Sequence, residues 1–183
     1  MLAGLNHPPL EAVPVWDVSP TGTLLYSTGA DDRVLELDAR GRTIRSFRMP
    51  ARSIPIPSRE RAESLTALRR RIDSIRVPRS QVNGVPNRVW SMDIPRSYPM
   101  VRAIYSGAGG MVWIQRWNVD HQRRTVFDLM TLGGAPSGTA VLPGAISDVP
   151  APVLTSGSVV AVEVDAETGV SAIVQYRKVP GRR

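Results

Sequence analysis

The sequence predicts an all-β fold of about three four-stranded antiparallel sheets, with one amphipathic α-helix inserted among them. Three observations predict it. A short hairpin motif recurs three times, 15 Gly and 16 Pro punctuate the chain at hairpin spacing, and one stretch abandons the period-two pattern for a helical one. At 183 residues the chain is long enough for one domain with a sizeable core, with or without a modest insertion.

The repeated units are Leu35-Glu36-Leu37-Asp38-Ala39-Arg40-Gly41, Phe127-Asp128-Leu129-Met130-Thr131-Leu132-Gly133 and Val162-Glu163-Val164-Asp165-Ala166-Glu167-Thr168-Gly169. Each opens apolar, acidic, apolar, the alternation of a strand with one buried face and one wet face, which puts the acid on the wet side. Gly41, Gly133 and Gly169 stand where a short hairpin loop needs positive φ, open to Gly without steric cost. The returning strands stop at Met49-Pro50, Leu142-Pro143 and Val179-Pro180, because Pro has no N–H with which to extend a ladder.

Taken in chain order, residues 13–50 give a partial sheet, with a strand at Thr23–Ser27 ahead of the first motif. The step from Gly133 to Gly169 is 36 residues, near the roughly 40 of a four-stranded repeat, whereas Gly41 to Gly133 is 92. The excess falls in residues 51–95, read as an insertion. Residues 99–143 then form a full sheet, with strands at Val101–Ser106 and Met111–Trp117 joined by the tight turn Gly107-Ala108-Gly109-Gly110. Residues 144–180 form the closing sheet, with strands at Ile146–Val149 and Val153–Thr155 before the third motif.

Within the insertion, Ser58 is placed to cap a helix, with Glu60 and Glu63 near the positive end of its dipole. Ala62, Leu65, Leu68, Ile72 and Ile75 make one apolar stripe expected to pack on a sheet edge, and Pro78 ends the run. Arg59, Arg69, Arg70, Arg71 and Arg76 occupy the other face. Residues 51–96 hold ten Arg against four acids, so +6 of the chain's net +7 is local. We read this as the solvated face of a packed helix, the alternative being a basic surface for nucleic acid, acidic lipid or an acidic partner. Residues 79–95, with Asn83-Gly84 between prolines, read as an irregular surface loop.

Composition narrows the classes. At 42% hydrophobic and 21% charged residues the chain has the make-up of a globular protein. No apolar run approaches the roughly 18 residues of a membrane span, and Met1–Trp16 lacks the basic start and apolar stretch of a signal peptide. The absence of Cys removes disulfides and thiolate metal sites and leaves the compartment open. The cations are 22 Arg and only Lys178, a ratio that reflects genome composition more readily than a nucleic-acid partner.

With these motifs in place, most of residues 13–180 resembles the last blades of bacterial six-bladed β-propellers of the NHL and TolB-like type. The matching residues are Gly110-Met111-Val112-Trp113-Ile114-Gln115-Arg116-Trp117, Val126-Phe127-Asp128 leading to Leu142-Pro143, and the closing strand Ala172-Ile173-Val174-Gln175-Tyr176-Arg177. The resemblance implies a binding or scaffolding propeller, and it extends to lyases and hydrolases that use a central metal or His cluster. About three blades is half of such a ring. The resemblance therefore implies either oligomerisation or a chain that is the C-terminal part of a longer propeller, extracytoplasmic if the whole is exported. A half-ring leaves sheet faces open, which invites association.

Chemistry-bearing patterns are sparse. Only His7 and His121 occur, without metal-ligand spacing around them, and no G-x-S-x-G is present. Gly107–Gly110 lies between strands and lacks the Lys of a phosphate-binding loop, and Asp31-Asp32 lacks the spacing of a calcium loop. The densest candidate ligand site is Arg116, Trp117 and His121, where a guanidinium and an aromatic ring could hold a flat or anionic ligand. Trp113 beside them reads as filling between sheets. The expectation is a non-enzymatic binding module without cofactor or metal, whose ligand is a protein or small molecule. The alternatives are a propeller-type lyase or hydrolase with its catalytic residues in the missing blades, and a basic insertion that binds nucleic acid or an anionic surface.

Overall fold

A computed structural model describes residues 10–50, 53–74, 94–118, 123–155, 157–165 and 167–177. The chain divides into two units, one of Met1–Glu11 with Ser53–Tyr98, the other of Ala12–Arg52 with Pro99–Arg183.

The larger unit is built of three antiparallel sheets. Strands β1 (Val15–Val18), β2 (Leu24–Ser27), β3 (Arg33–Leu37) and β4 (Thr43–Arg48) form the first sheet as a meander, a complete sheet of four where the sequence suggested a partial one. Strands β5 (Ala103–Ser106), β6 (Met111–Arg116), β7 (Thr125–Thr131) and β8 (Pro136–Leu142) form the second in the same order. The third has three strands, β9 (Val153–Leu154), β10 (Ser158–Val164) and β11 (Ser171–Arg177). The strand expected at Ile146–Val149 contributes only an isolated bridge from Ile146 to Glu163. There the Ser147 hydroxyl accepts the Val149 N–H at 3.1 Å and donates to the Val149 carbonyl at 2.7 Å, so local bonds replace a ladder.

Turn chemistry follows the motifs with one shift. Gly41 and Gly169 take φ of 76° and 71°, as expected, but in the second hairpin the left-handed residue is Gly134 (φ 84°) rather than Gly133. Gly134 has a second reason to lack a side chain, since a Cβ there would meet the Phe47 Cβ at 2.7 Å.

Two apolar layers order the sheets. Leu25, Val34 and Phe47 of the first sheet pack with Ile104, Val112, Ile114 and Met130 of the second, together with Met49 and Val101. The opposite face of the second sheet, through Tyr105, Phe127 and Leu142, packs with Val159 and Ala161 of the third and with Ile146. The second sheet is thus covered on both faces, and each large side chain fully removed from water contributes about 1.5–3 kcal/mol. Its β5 lies beside β1 of the first sheet, where the Ser106 N–H donates to the Asp17 carboxylate at 2.5 Å.

The acids of the repeat do not lie on a wet face. Glu36 and Asp128 are 5% and 3% exposed. Alternation puts Glu36 on the same side as Val34, and Asp128 on the same side as Met130, so both turn towards the layer between the first and second sheets. Each finds polar partners on neighbouring strands, which is what makes its burial tolerable. Glu36 accepts the Thr23 hydroxyl at 2.8 Å and pairs with the Arg45 guanidinium at 2.8 Å. Asp128 accepts the Thr139 hydroxyl at 3.3 Å and faces Arg116 at 3.7 Å. Glu163, half-buried, accepts the Tyr176 hydroxyl at 2.6 Å.

In the smaller unit, helix α1 spans Ser58–Ser74. Its first bond runs from the Arg61 N–H to the Pro57 carbonyl, so Pro57 rather than Ser58 stands at the cap position. Of the predicted stripe, Leu68 is buried, Leu65 half-buried and Ala62 exposed, while the side chains of Ile72 and Ile75 lie outside the described residues, as does the loop expected at 79–95 apart from Ile94 and Pro95. Residues Ile54 and Ile56 exchange backbone bonds with Tyr98 and Arg96, and the Tyr98 hydroxyl donates to Glu60 on the helix at 2.5 Å. No helix among the described residues is long and apolar enough to cross a membrane.

Candidate functional site

Of the expected ligand-site residues, Arg116 and Trp117 take different partners. Arg116 ends β6 on the face it shares with Ile114 and turns to Asp128 on β7, so it is committed to the layer between the first two sheets. Trp117 follows the strand and is covered by Arg102, whose guanidinium carbon lies 4.8 Å from the ring centroid. His121 lies outside the described residues. Trp113, on the other face of β6, meets Phe127 edge to face at 5.5 Å and packs in the layer between the second and third sheets, a filling role.

A polar cluster forms around Trp117 and Arg102 instead. The backbone places it: the Ala103↔Gln115 register brings the start of β5 against the end of β6, and the Arg102 N–H donates to the Gln115 carbonyl at 2.8 Å. Arg102 also donates to Asp148 at 3.1 Å. The other Asp148 oxygen accepts the Tyr105 hydroxyl at 3.4 Å, and that hydroxyl lies as far from the Gln115 side-chain oxygen. Burial, then the charge of Asp148, pushes the Tyr105 phenol far above the usual range, so it remains a neutral donor. Arg102 lies over the indole and its charge is balanced by one carboxylate. Such a shelf can take a planar or anionic group, while no member of the cluster is a nucleophile paired with a base.

Arg102, Tyr105 and Asp148 carry no motif, and Gln115 reads only as a strand residue, which is why the sequence pattern passed over them as a site. Strand pairing and a turn 46 residues from Arg102 gather them. Among the described residues no group of three or more His, Cys, Asp or Glu is placed to hold a metal.

Of the expected basic surface, the side chains of Arg59, Arg69 and Arg70 lie among the described residues. Arg59 is exposed and paired with Glu63 at 2.7 Å, Arg70 is exposed, and Arg69 is half-buried on the helix instead of standing on the open face. The side chains of Arg71 and Arg76 lie outside the described residues. Arg61 uses its guanidinium on the Ile94 carbonyl at 3.1 Å. No protein-family model matches this sequence, and neither does any curated protein.

Proposed function

We propose that the chain is a non-enzymatic binding or scaffolding module, an open run of β-propeller blades related to six-bladed NHL and TolB-like rings. The observation that carries this reading is the stack: three sheets pack face to face in chain order, with β1 and β5 side by side. Radial repetition around an axis near the first strands has this arrangement.

The two end faces of the stack support it. On the outer face of the first sheet, Trp16, Tyr26 and Leu35 stand in one cross-strand row and Val18, Leu24 and Leu37 in another, with Trp16 64% exposed. On the outer face of the third sheet stand Val153, Val162 and Ile173, the last 81% exposed. Apolar rows of this kind are what two such sheets bury against each other, and a run of blades continues by covering them. The Arg102–Trp117 shelf is the place we assign to a small planar or anionic ligand.

Light scattering on the purified chain and on Trp16→Glu tests the reading. Expected is association of the wild type through its end faces, reduced by the substitution. A monodisperse wild-type monomer with a cooperative melt, or an association that Trp16→Glu leaves unchanged, overturns it.

A further inference from the structure

We infer that β11 is a strand-pairing edge whose partner is the β11 of a second copy, antiparallel about a two-fold axis at Val174. This concerns the edge of a sheet and stands apart from the stacking of sheet faces.

Every other edge of the three sheets is blunted. Strands β1 and β5 lie beside each other. Strand β4 carries Arg45 and Arg48, and its pairing with β3 shifts register at Glu36/Leu37. Strand β8 begins at Pro136, and its pairing with β7 shifts at Leu129/Met130. Strand β9 is only two residues long. Prolines, charges, bulges and shortness are the devices by which sheet edges avoid pairing with other chains.

Strand β11 has no proline and no bulge, is not short, and carries a single charge at its end. Its seven residues pair with β10 in unbroken register from Ser171↔Val164 to Arg177↔Ser158. It holds no Pro or Gly, and its only charge is the terminal Arg177. With β10 on one side, it has no strand on the other among the described residues. Ile173 projects from it 81% exposed. An unbroken seven-residue edge with an exposed Ile and its one charge at the end is a template for another strand.

The sequence of the strand selects a second copy of itself. Antiparallel pairing about Val174 sets Ser171 opposite Arg177, Ala172 opposite Tyr176 and Ile173 opposite Gln175, so no like charges meet. The two Ile173 side chains become diagonal neighbours across the axis, which covers the most exposed apolar group of the sheet. Parallel pairing in register would instead bring Arg177 against Arg177.

The test is light scattering in the Trp16→Glu background, where stacking through the first sheet's outer face is weakened. Expected is a dimer whose dissociation constant rises at least about tenfold in Ile173→Lys, because the introduced ammonium groups face each other diagonally. Ile173 is exposed, so far-ultraviolet dichroism and the melt remain as in the parent. Val141→Lys on β8, 57% exposed on a blunted edge, leaves the mass unchanged. The chain has no Cys, so single cysteines report the register: Val174→Cys cross-links on oxidation and Ser171→Cys does not. A monomer in the Trp16→Glu background, an unchanged mass in Ile173→Lys, or equal cross-linking at both positions overturns the inference. Because Ile173 also stands on the outer face of the third sheet, the cysteines separate the two readings. If Trp16→Glu leaves the mass unchanged while Val174→Cys cross-links and Ser171→Cys does not, face stacking fails and edge pairing stands.

Discussion

Gly134→Ala perturbs two things at once, and the structure separates them. The residue sits at φ 84°, where a Cβ costs roughly 1–2 kcal/mol, offset by up to about 1 kcal/mol from the stiffer unfolded chain. The new methyl would also stand 2.7 Å from the Phe47 Cβ and 3.1 Å from its Cγ, in a packed layer where overfilling costs about 1–3 kcal/mol. The sum is about 2–4 kcal/mol, or a fall in Tm of roughly 4–16 °C for a chain of this size. Two controls isolate the parts. Gly41→Ala has a similar φ of 76° with nothing within 4 Å, so it reports the dihedral cost alone, about 1 kcal/mol. Gly133→Ala has ordinary φ and meets only side-chain ends, the Thr131 hydroxyl at 3.4 Å and the Arg45 guanidinium at 3.9 Å, so it stays within about 0.5 kcal/mol of the parent. Urea unfolding of the three variants is the assay, with Phe47→Leu combined with Gly134→Ala to recover part of the loss as a coupling energy. If Gly134→Ala is no worse than Gly41→Ala, the turn of the second sheet does not rest on Phe47 and the packing of the first layer is wrong.

Arg45→Ala leaves the buried Glu36 carboxylate with the Thr23 hydroxyl and removes the bond from Arg45 to the Leu132 carbonyl, for a loss of about 1–3 kcal/mol in urea unfolding. A loss below about 0.5 kcal/mol would show that Glu36 is solvated. The Thr168 N–H and hydroxyl, then the Glu167 N–H, hold the Asp165 carboxyl below its ordinary value. Its stabilisation is therefore present above about pH 4 and lost as the pH falls further, and Asp165→Asn flattens the acid limb of a stability–pH profile relative to the parent. Tyr98, Tyr105 and Tyr176 are raised first by burial and then by a neighbouring carboxylate, so the folded chain keeps them protonated near pH 10, where free tyrosine ionises. Their stabilisation is present below that pH and lost above it, so phenolate absorbance from Tyr105, identified by comparison with Tyr105→Phe, rises only with alkaline unfolding. A reversible rise near pH 10 in the native chain contradicts the buried bond to Asp148.

Hairpin grammar was legible because turn residues and alternation act locally. The motifs at Leu35, Phe127 and Val162 mark β3, β7 and β10, and Gly107–Gly110 does join β5 to β6, through a short 3-10 turn. What alternation could not tell is which of two faces is the buried one. In the central sheet both are, so Asp128 looks inward just as Phe127 does, one to each layer. The choice of Gly134 over Gly133 is likewise tertiary, since adjacent glycines are equivalent to local rules and Phe47 distinguishes them. At the candidate site, Arg116 and Trp117 are neighbours in sequence, but the pleat sends the first to Asp128 and chain reversal brings Arg102 to the second. A cluster assembled from residues 102, 105, 115, 117 and 148 leaves no spacing to read.

Because one apolar cluster joins the first and second sheets and another joins the second and third, the larger unit is coupled through nearest neighbours. Opening then proceeds from the ends inward. The third sheet can fray while the first layer stays dry, whereas exposing β6 or β7 requires both layers to separate. Amide exchange in the Trp16→Glu, Ile173→Lys monomer follows that order: protons of β11 that face away from β10 leave first, and those of Ile114 and Phe127 wait for global unfolding. The middle of the stack thereby keeps time for the whole, and a ligand resting on the shelf at its rim would slow the departure of the third sheet before it touched the first.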